Sequence, residues 1–232
     1  MKTSAINLVV LLTVLSLRGV AQPDTSTYHS RWEKKWYWGA SLNNAIVSFT
    51  GSNLPAEYFW RPALGVTLKG EYFFHPNVGI TAGCTFQAKG AGIITPDRDK
   101  SLGNPDSTYR ARIKFYDLEL PIALVVRGLE PIHGTRLRAE IGIVPARMLY
   151  ARYTFLSVED GFHLIENHSD RYYKTDLFLQ GALGLDINAA DACIFQVHLY
   201  GNWGTRNIYE AASFPGANGR NGLYGIRLGW VF

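Results

Sequence analysis

The twelve residues NGLYGIRLGWVF (221–232) at the end of the chain decide the fold. Every second residue belongs to one large apolar face, which consists of Tyr224, Ile226, Leu228, Trp230 and Phe232. The opposite face is small except for Arg227. Alternation with a period of two is typical of a strand with one buried face. Terminal residues usually fray into water, so an aromatic residue at this position predicts an apolar surrounding for the strand.

Seven more segments show the same alternation, and each opposes large apolar residues to small or polar ones. They are 36–46, 63–74, 78–89, 110–127, 135–149, 176–188 and 193–204. The second face carries Gly, Ser, Thr, Gln, Lys, Glu and Arg, which cannot form an apolar core. The apolar face must then point outward, toward lipid. The sequence predicts an all-β fold, an eight-stranded antiparallel up-and-down transmembrane β-barrel.

The connections between these segments alternate in length. Three are short, at 75–77, 128–134 and 189–192, whereas the others cover 51–60, about 95–109, 150–175 and 208–221. Short turns at one end and long loops at the other are typical of an outer-membrane barrel. We expect aromatic belts at both edges of the apolar band. The C-terminal rim would hold Trp36, Trp38, Tyr72, Phe74, Trp230 and Phe232, and the far rim Phe86, Tyr116, Trp203 and Tyr224.

The N-terminal residues have the order of a secretory signal peptide, with Lys2, an apolar run and small residues before a cleavage site after Ala21. We therefore expect a signal peptide at 1–21, a polar lead-in at 22–35 and the barrel at 36–232. Removing 1–21 leaves 21 basic and 19 acidic residues, a net charge of +2. Such a small excess without a basic run gives no reason to expect a nucleic-acid partner.

The two cysteines, Cys84 and Cys193, lie on the third and seventh predicted strands. These strands are not neighbours in an up-and-down barrel, so their Cβ atoms should lie too far apart for a disulfide. We expect two free thiols. The sequence offers no cofactor motif and no metal-ligand spacing.

Three stretches resemble the PorT-like, or outer-membrane β-barrel, family of Gram-negative cell envelopes. FYDLELPIALVVRG (115–128) resembles its fourth strand, LGLDINAADACIFQVHLYGNWG (183–204) its sixth and seventh strands, and GIRLGWVF (225–232) its closing strand. Asp117 departs from the motif, because it separates the tyrosine from the following leucine. The resemblance implies an eight-stranded outer-membrane barrel with no catalytic residues to transfer. It also implies that the barrel-assembly machinery reads Tyr224, Trp230 and Phe232 as an assembly signal.

The inward face of the predicted barrel carries charges of both signs. These residues are Lys69, Glu71, Lys89, Glu119, Arg136, Arg138, Glu140, Asp186, His198 and Arg227. Since an eight-stranded barrel is about wide enough to be filled by side chains, we expect a lumen polar network of ion pairs that plugs it. The alternative is a proton or ion path through Glu119, Glu140 and Arg227.

The longest connection, 150–175, mixes charged residues with aromatic and apolar ones. We expect it to be at least partly ordered, extending the fifth and sixth strands, and to contact a protein or surface ligand. The leading hypothesis is a non-enzymatic outer-membrane platform whose partners also include outer-membrane lipid. One alternative is a rim-site enzyme that uses residues of the same segment, namely Asp160, His163, His168, Ser169 and Asp170. Another is a soluble periplasmic lipid-binding barrel, which the polar inner face and Phe232 disfavour.

Overall fold

The computed structural model describes residues 32, 34–54, 57–96, 108–156, 163–167, 169–190, 193–209, 211–213 and 215–232. The strands are β1 (Trp36–Ser52), β2 (Glu57–Phe59), β3 (Arg61–His75), β4 (Val78–Pro96), β5 (Thr108–Glu119), β6 (Ile122–Arg127), β7 (Thr135–Leu156), β8 (His163–Asn167), β9 (Thr175–Ala190), β10 (Cys193–Gly204) and β11 (Asn218–Val231). In this part of the chain no helix is long and apolar enough to cross a membrane. The predicted signal peptide and most of the lead-in lie outside the described residues.

All the strands except β8 close into a ring of eight wall segments, each of which is antiparallel to its two neighbours. We call such a segment a stave; it consists of one strand or of two consecutive strands. Around the ring they follow as β1, β2–β3, β4, β5–β6, β7, β9, β10 and β11, which pairs again with β1. β5 and β6 form one stave that breaks where Pro121 lacks a backbone N–H. Leu120 N still donates to Pro145 O at 2.9 Å, so the ladder continues across the break. The predicted eight-stranded up-and-down transmembrane barrel is confirmed.

The wall has apolar side chains outside and polar ones inside. On β3, Leu68 is 66% exposed, whereas the adjacent Lys69 is 7% exposed. A soluble lipid-binding barrel would place its large apolar side chains inward. The alternative of a soluble periplasmic barrel is therefore wrong.

Two rings of aromatic side chains border the outward apolar band. The inner girdle, at the end with the short turns, contains Trp36, Trp38, Tyr72, Phe74, Trp230 and Phe232, with Phe195 packed against Trp230 at 5.3 Å between ring centroids. The outer girdle contains Trp60, Phe86, Tyr116, Tyr150, Trp203 and Tyr224. On β5–β6, Tyr116 and Val126 are about ten residues apart, which is about 25 Å at the usual strand tilt. That height matches the hydrocarbon-facing band of outer-membrane barrels.

Several strands continue past the outer girdle, beyond their predicted ends. β4 reaches Pro96 instead of residue 89, and β7 reaches Leu156 instead of residue 149. Outside the membrane the outward positions no longer need apolar residues, so the alternation fades, as at Gly90 and Gly92. A bulge on β7 adds to this effect, because Tyr116 pairs with Tyr150 while Asp117 pairs with Met148.

The two cysteines are free. Cys84 lies on β4 and Cys193 on β10, and the staves β3, β1 and β11 separate them on one side of the ring. The expectation of two unpaired thiols is confirmed.

Candidate functional site

Alternation along the strands brings the predicted lumen residues together inside the barrel. Nine of the ten are buried: Lys69, Glu71, Lys89, Glu119, Arg138, Glu140, Asp186, His198 and Arg227. Arg136 is only half-buried and lies at the inner mouth. Most of the buried charges belong to two groups, which we call the inner cluster and the outer cluster.

Arg138 is the hub of the inner cluster. Its guanidinium lies 2.8 Å from Glu71 Oε1 and 2.7 Å from Glu140 Oε1, and Nη1 lies 3.3 Å from Asp186 Oδ2. These carboxylates come from β3, β7 and β9. A planar guanidinium with five donors suits several acceptors at once. Arg138 therefore ties three staves of the barrel together.

Arg127 is a second hub, which the sequence reasoning missed. Its Nε lies 2.6 Å from Asp186 Oδ2 and its Nη2 3.1 Å from Glu71 Oε2. The guanidinium carbon also lies 3.8 Å from the ring centroid of Phe73, which is a cation–π contact. The alternation of inward and outward positions along β6 could have revealed Arg127, because this residue lies on the same inward face as Val125. Its position at the strand end, beside a turn, concealed it.

Lys69, Arg227 and His198 complete the inner cluster. Lys69 Nζ lies 3.0 Å from Glu71 Oε1 and donates to Gln196 Oε1, and Arg227 Nη1 lies 3.0 Å from Glu140 Oε2. The imidazole of His198 lies between Asp186, at 3.5 Å, and Glu140, at 3.9 Å. The cluster thus holds four cations (Lys69, Arg127, Arg138 and Arg227) and three carboxylates (Glu71, Glu140 and Asp186).

The outer cluster is smaller and has the opposite balance. Lys89 Nζ lies 2.9 Å from Asp117 Oδ2 and 2.6 Å from Glu119 Oε1. It also lies 4.0 Å above the ring of Phe178. One cation and two carboxylates give a formal charge of −1, which offsets the +1 of the inner cluster with neutral His198. Asp117, the residue that breaks the family motif, is thus an inward ion-pair partner.

The alternative path through the lumen joins residues that belong to different clusters. Glu119 pairs with Lys89, whereas Arg227 pairs with Glu140. These contacts are those of paired structural charges, as expected for a filled eight-stranded barrel.

Apolar groups close the inner mouth of the lumen. Trp32, Tyr37, Phe73, Val125, Ile194 and Val231 form a buried cluster there. Trp32 belongs to the predicted lead-in, and its ring lies 4.5 Å from the guanidinium carbon of Arg136 and 5.5 Å from that of Arg127. The segment before β1 thus places a tryptophan over the two arginines nearest to the mouth.

A larger aromatic cluster closes the outer end. It consists of Phe49, Ala91, Ile93, Ile113, Phe115, Ala151, Tyr172, Ile208, Tyr209 and Ala217. Tyr172 comes from the 150–175 connection and packs on Phe115 at 4.9 Å and on Tyr209 at 5.7 Å between centroids. Burial raises the pKa of Tyr172 above its usual value. The described parts of two long connections, around Tyr172 and around Ile208 and Tyr209, are thereby packed against the inward side chains above the ion pairs.

A protein-family model described as "Outer membrane protein beta-barrel domain" matches residues 20–210. The chain belongs to this family. The protein is located in the outer membrane. No curated protein sequence matches the chain significantly.

Solved structures similar to this outer-membrane barrel are distant in sequence. Ail of Yersinia pestis is 13% identical, with 86% of this chain and 100% of Ail covered and a TM-score of 0.40. Neisserial surface protein A is 9% identical, with 84% and 95% covered and a TM-score of 0.42. OprG of Pseudomonas aeruginosa is 14% identical, with 85% and 94% covered and a TM-score of 0.43.

The 150–175 connection of this outer-membrane barrel is partly ordered, as expected. β7 extends the fifth predicted strand, and β8 pairs back on it with Thr154 opposite Ile165. The sixth predicted strand is not extended, because β9 begins only at Thr175. Among the rim-enzyme candidates, the Ser169 hydroxyl accepts from Ala151 N at 2.9 Å and donates to Asn167 Oδ1 at 2.6 Å. The side chains of Asp160, His163 and His168 lie outside the described residues.

The three predicted assembly residues all point outward from β11. Tyr224, Trp230 and Phe232 are 42%, 38% and 59% exposed. The backbone of Phe232 exchanges hydrogen bonds with Trp38, at 2.8 and 3.2 Å. The last residue therefore takes part in closing the barrel while its ring faces lipid.

Proposed function

We propose that this outer-membrane barrel is a non-enzymatic platform that presents an interaction surface at its outer end. The observation that carries the proposal is the filling of the lumen. Ion pairs occupy its middle, and apolar clusters close both mouths. Such a barrel is suited to hold a surface in place rather than to move solutes.

The outer end rises well above the apolar band, which supports a role outside the membrane. β4 continues for about ten residues past Phe86, which corresponds to roughly 25 Å along the barrel axis at the usual strand tilt. β7 continues past Tyr150 to Leu156 and carries the β8 hairpin. A barrel that served only to fill the bilayer would not need this extension.

The residues next to the anchored Tyr172 form the candidate contact surface. Tyr173 is 47% exposed, and Asp170, Arg171 and Lys174 are exposed around it. Tyrosine and arginine are enriched at protein interfaces. Because Tyr172 and Ser169 fix the backbone on both sides, this surface is preorganised for a protein or a surface ligand.

A non-enzymatic role agrees with the chemistry at the rim. The Ser169 hydroxyl serves the hairpin, through Ala151 and Asn167. Asp170 is exposed on a turn, where solvent hydrates its carboxylate.

The test replaces Asp170, Arg171, Tyr173 and Lys174 by serine and keeps Ser169 and Tyr172, which hold the backbone in place. The control replaces 97–107, which also connects strands at the outer end, with a short Gly/Ser linker. We expect both proteins to assemble and to keep a heat-modifiable gel mobility. Only the variant changed at 170–174 should fail to restore the envelope phenotype of a deletion strain. Full complementation by that variant would place the function elsewhere on the barrel.

Export and assembly belong to the same proposal. We infer that residues 1–21 are removed as a signal peptide and that the barrel-assembly machinery reads the outward ridge of β11. The support is the outward orientation of Tyr224, Trp230 and Phe232 next to the closing seam with β1. The finer assignment to PorT-like proteins rests on the motif at 115–128.

A further inference from the structure

Three basic side chains form a compact group on the outside of the barrel, directly above the outer girdle. Arg112 and Lys114 alternate on β5, and Arg152 lies on β7 with its Cα opposite that of Lys114. The next outward pair toward the membrane is Tyr116 with Tyr150, whose ring centroids are 6.2 Å apart. The basic group therefore begins where the aromatic edge of the bilayer ends.

The geometry of this group is unfavourable without an anion. Like charges directly opposite each other on neighbouring strands destabilise a sheet. On the other side of Lys114, β4 offers only Gly90, which has no side chain to contribute a carboxylate. Among the described residues none of the three cations forms an ion pair, and Arg152 Nε is buried without a hydrogen-bond partner.

The group is part of a wider imbalance of charge at the outer end. Among the described residues, the exposed or half-exposed cations there are Arg61, Arg112, Lys114, Arg147, Arg152, Arg171, Lys174, Arg206 and Arg220. The described carboxylates that are exposed or half-exposed in the same region are Glu57, Asp170 and Asp176. Within the part of the chain that the structure describes, the outer end therefore carries more exposed cations than exposed carboxylates.

We propose that Arg112, Lys114 and Arg152 bind the phosphate groups of glycolipids in the outer leaflet. Cβ atoms of directly opposed residues lie about 5 Å apart, and residues i and i+2 of a strand about 6.6 Å. The two guanidinium groups and the ammonium group can thus reach one phosphate. A guanidinium binds a phosphate through two parallel hydrogen bonds. Tyr116 and Tyr150, immediately below, contact the boundary between headgroup and acyl chains.

The position of the group selects a lipid as the ligand. The cations project sideways from the wall, so an anion held there lies next to the apolar band. A glycolipid phosphate reaches this point while its acyl chains pack against the exposed Leu118 and Leu149, next to Arg147, whose Cα lies opposite that of Leu118. A free anion would gain only the ionic contacts. This lipid site is separate from the surface at 170–174 and does not depend on the proposed function.

Native mass spectrometry of the folded full-length barrel, released from detergent micelles, tests the site. The probes are a bisphosphorylated lipid A and the same lipid after enzymatic dephosphorylation. We expect the wild-type barrel to retain the phosphorylated form. The variant Lys114→Gln/Arg152→Gln should bind it about thirtyfold more weakly, from the contribution of two basic residues near a membrane surface. The matched control Lys34→Gln/Lys35→Gln removes two exposed charges at the inner rim and should bind as the wild type does.

Comparing the two lipids on the wild-type protein tests the phosphate site without any variant. A folding defect in the double variant therefore leaves the test intact. Equal retention of phosphorylated and dephosphorylated lipid by the wild type would overturn the proposal. Unchanged binding by the folded double variant would do the same. Displacement of the lipid by millimolar inorganic phosphate would indicate a general anion site and would contradict a lipid ligand.

Discussion

Neutralising Glu71 should destabilise the barrel more than any surface change. Its carboxylate is fully buried and contacts three cations, with distances of 3.0 Å to Lys69, 3.1 Å to Arg127 and 2.8 Å to Arg138. The variant Glu71→Gln keeps the shape of the side chain but removes one of the three negative charges of the inner cluster. Four cations would then face only Glu140 and Asp186.

The size of the effect follows from the number of pairs that are broken. At an effective dielectric constant of 20, one ion pair at about 3 Å contributes about 5 kcal/mol of attraction. Repulsion among the cations and the desolvation of the carboxylate offset much of the sum. Removing one partner from a buried ionic network typically destabilises by about 3–5 kcal/mol, and we expect Glu71→Gln to fall in that range.

Urea unfolding of the barrel in phospholipid vesicles, followed by tryptophan fluorescence, measures this loss as a change in the free energy of unfolding. The matched control is Glu57→Gln, the exposed first residue of β2, where we expect less than about 0.5 kcal/mol. The double variant Glu71→Gln/Arg138→Gln should lose less than the sum of the two single variants, because the charge and its main partner are removed together. A loss below about 1 kcal/mol for Glu71→Gln would refute the view that the ion pairs stabilise the barrel.

Four further outcomes follow from the same structure. Charge reversal by Glu119→Lys should destabilise the outer cluster by about 3–5 kcal/mol in the same urea assay, because two ammonium groups would meet in a buried site; unchanged stability would contradict this. Planar bilayers should show no large, stable single-channel currents, since the lumen is filled; porin-like steps would disprove a closed barrel. Thiol titration of denatured, unreduced protein should detect both Cys84 and Cys193, and finding neither would contradict the strand order. Phe232→Ala should reduce the amount of barrel in the outer membrane several-fold, whereas Phe74→Ala, which removes an equally exposed ring from the inner girdle, should not; equal yields would reject the assembly signal.

The sequence predicted the membrane-embedded part of this fold well, because lipid favours apolar outward residues there. Most outward residues between the girdles are apolar, so the period of two is clear, as from Leu64 to Leu68. Asn44 and Arg147 are nevertheless also exposed on this side of the wall. Past the outer girdle this preference no longer applies. The pattern then ends at Ala88 on β4 although the strand continues to Pro96.

The lumen was predictable as a set of residues but not as a set of contacts. The alternation along β3 and β7 placed Glu71 and Arg138 inside the barrel. Their pairing, however, depends on the stagger between strands that are far apart in sequence. Trp32 could not be assigned to the inner mouth, because it precedes β1 and has no alternating neighbours. The bulge at Leu149 escaped notice for a related reason, since one extra residue reverses the parity without leaving a compositional mark.

Spin-label accessibility along β3 tests the central claim, that the apolar face of this closed barrel meets lipid and its polar face a filled lumen. Labels at Leu64, Val66, Leu68, Thr67 and Lys114 are introduced one at a time into a cysteine-free background in vesicles. We expect oxygen to reach the first three while a water-soluble nickel chelate does not. The label at Thr67 should be shielded from both reagents, and the one at Lys114 should meet the chelate. Collision of the chelate with Leu64, Val66 and Leu68 as frequent as with Lys114 would contradict the membrane barrel.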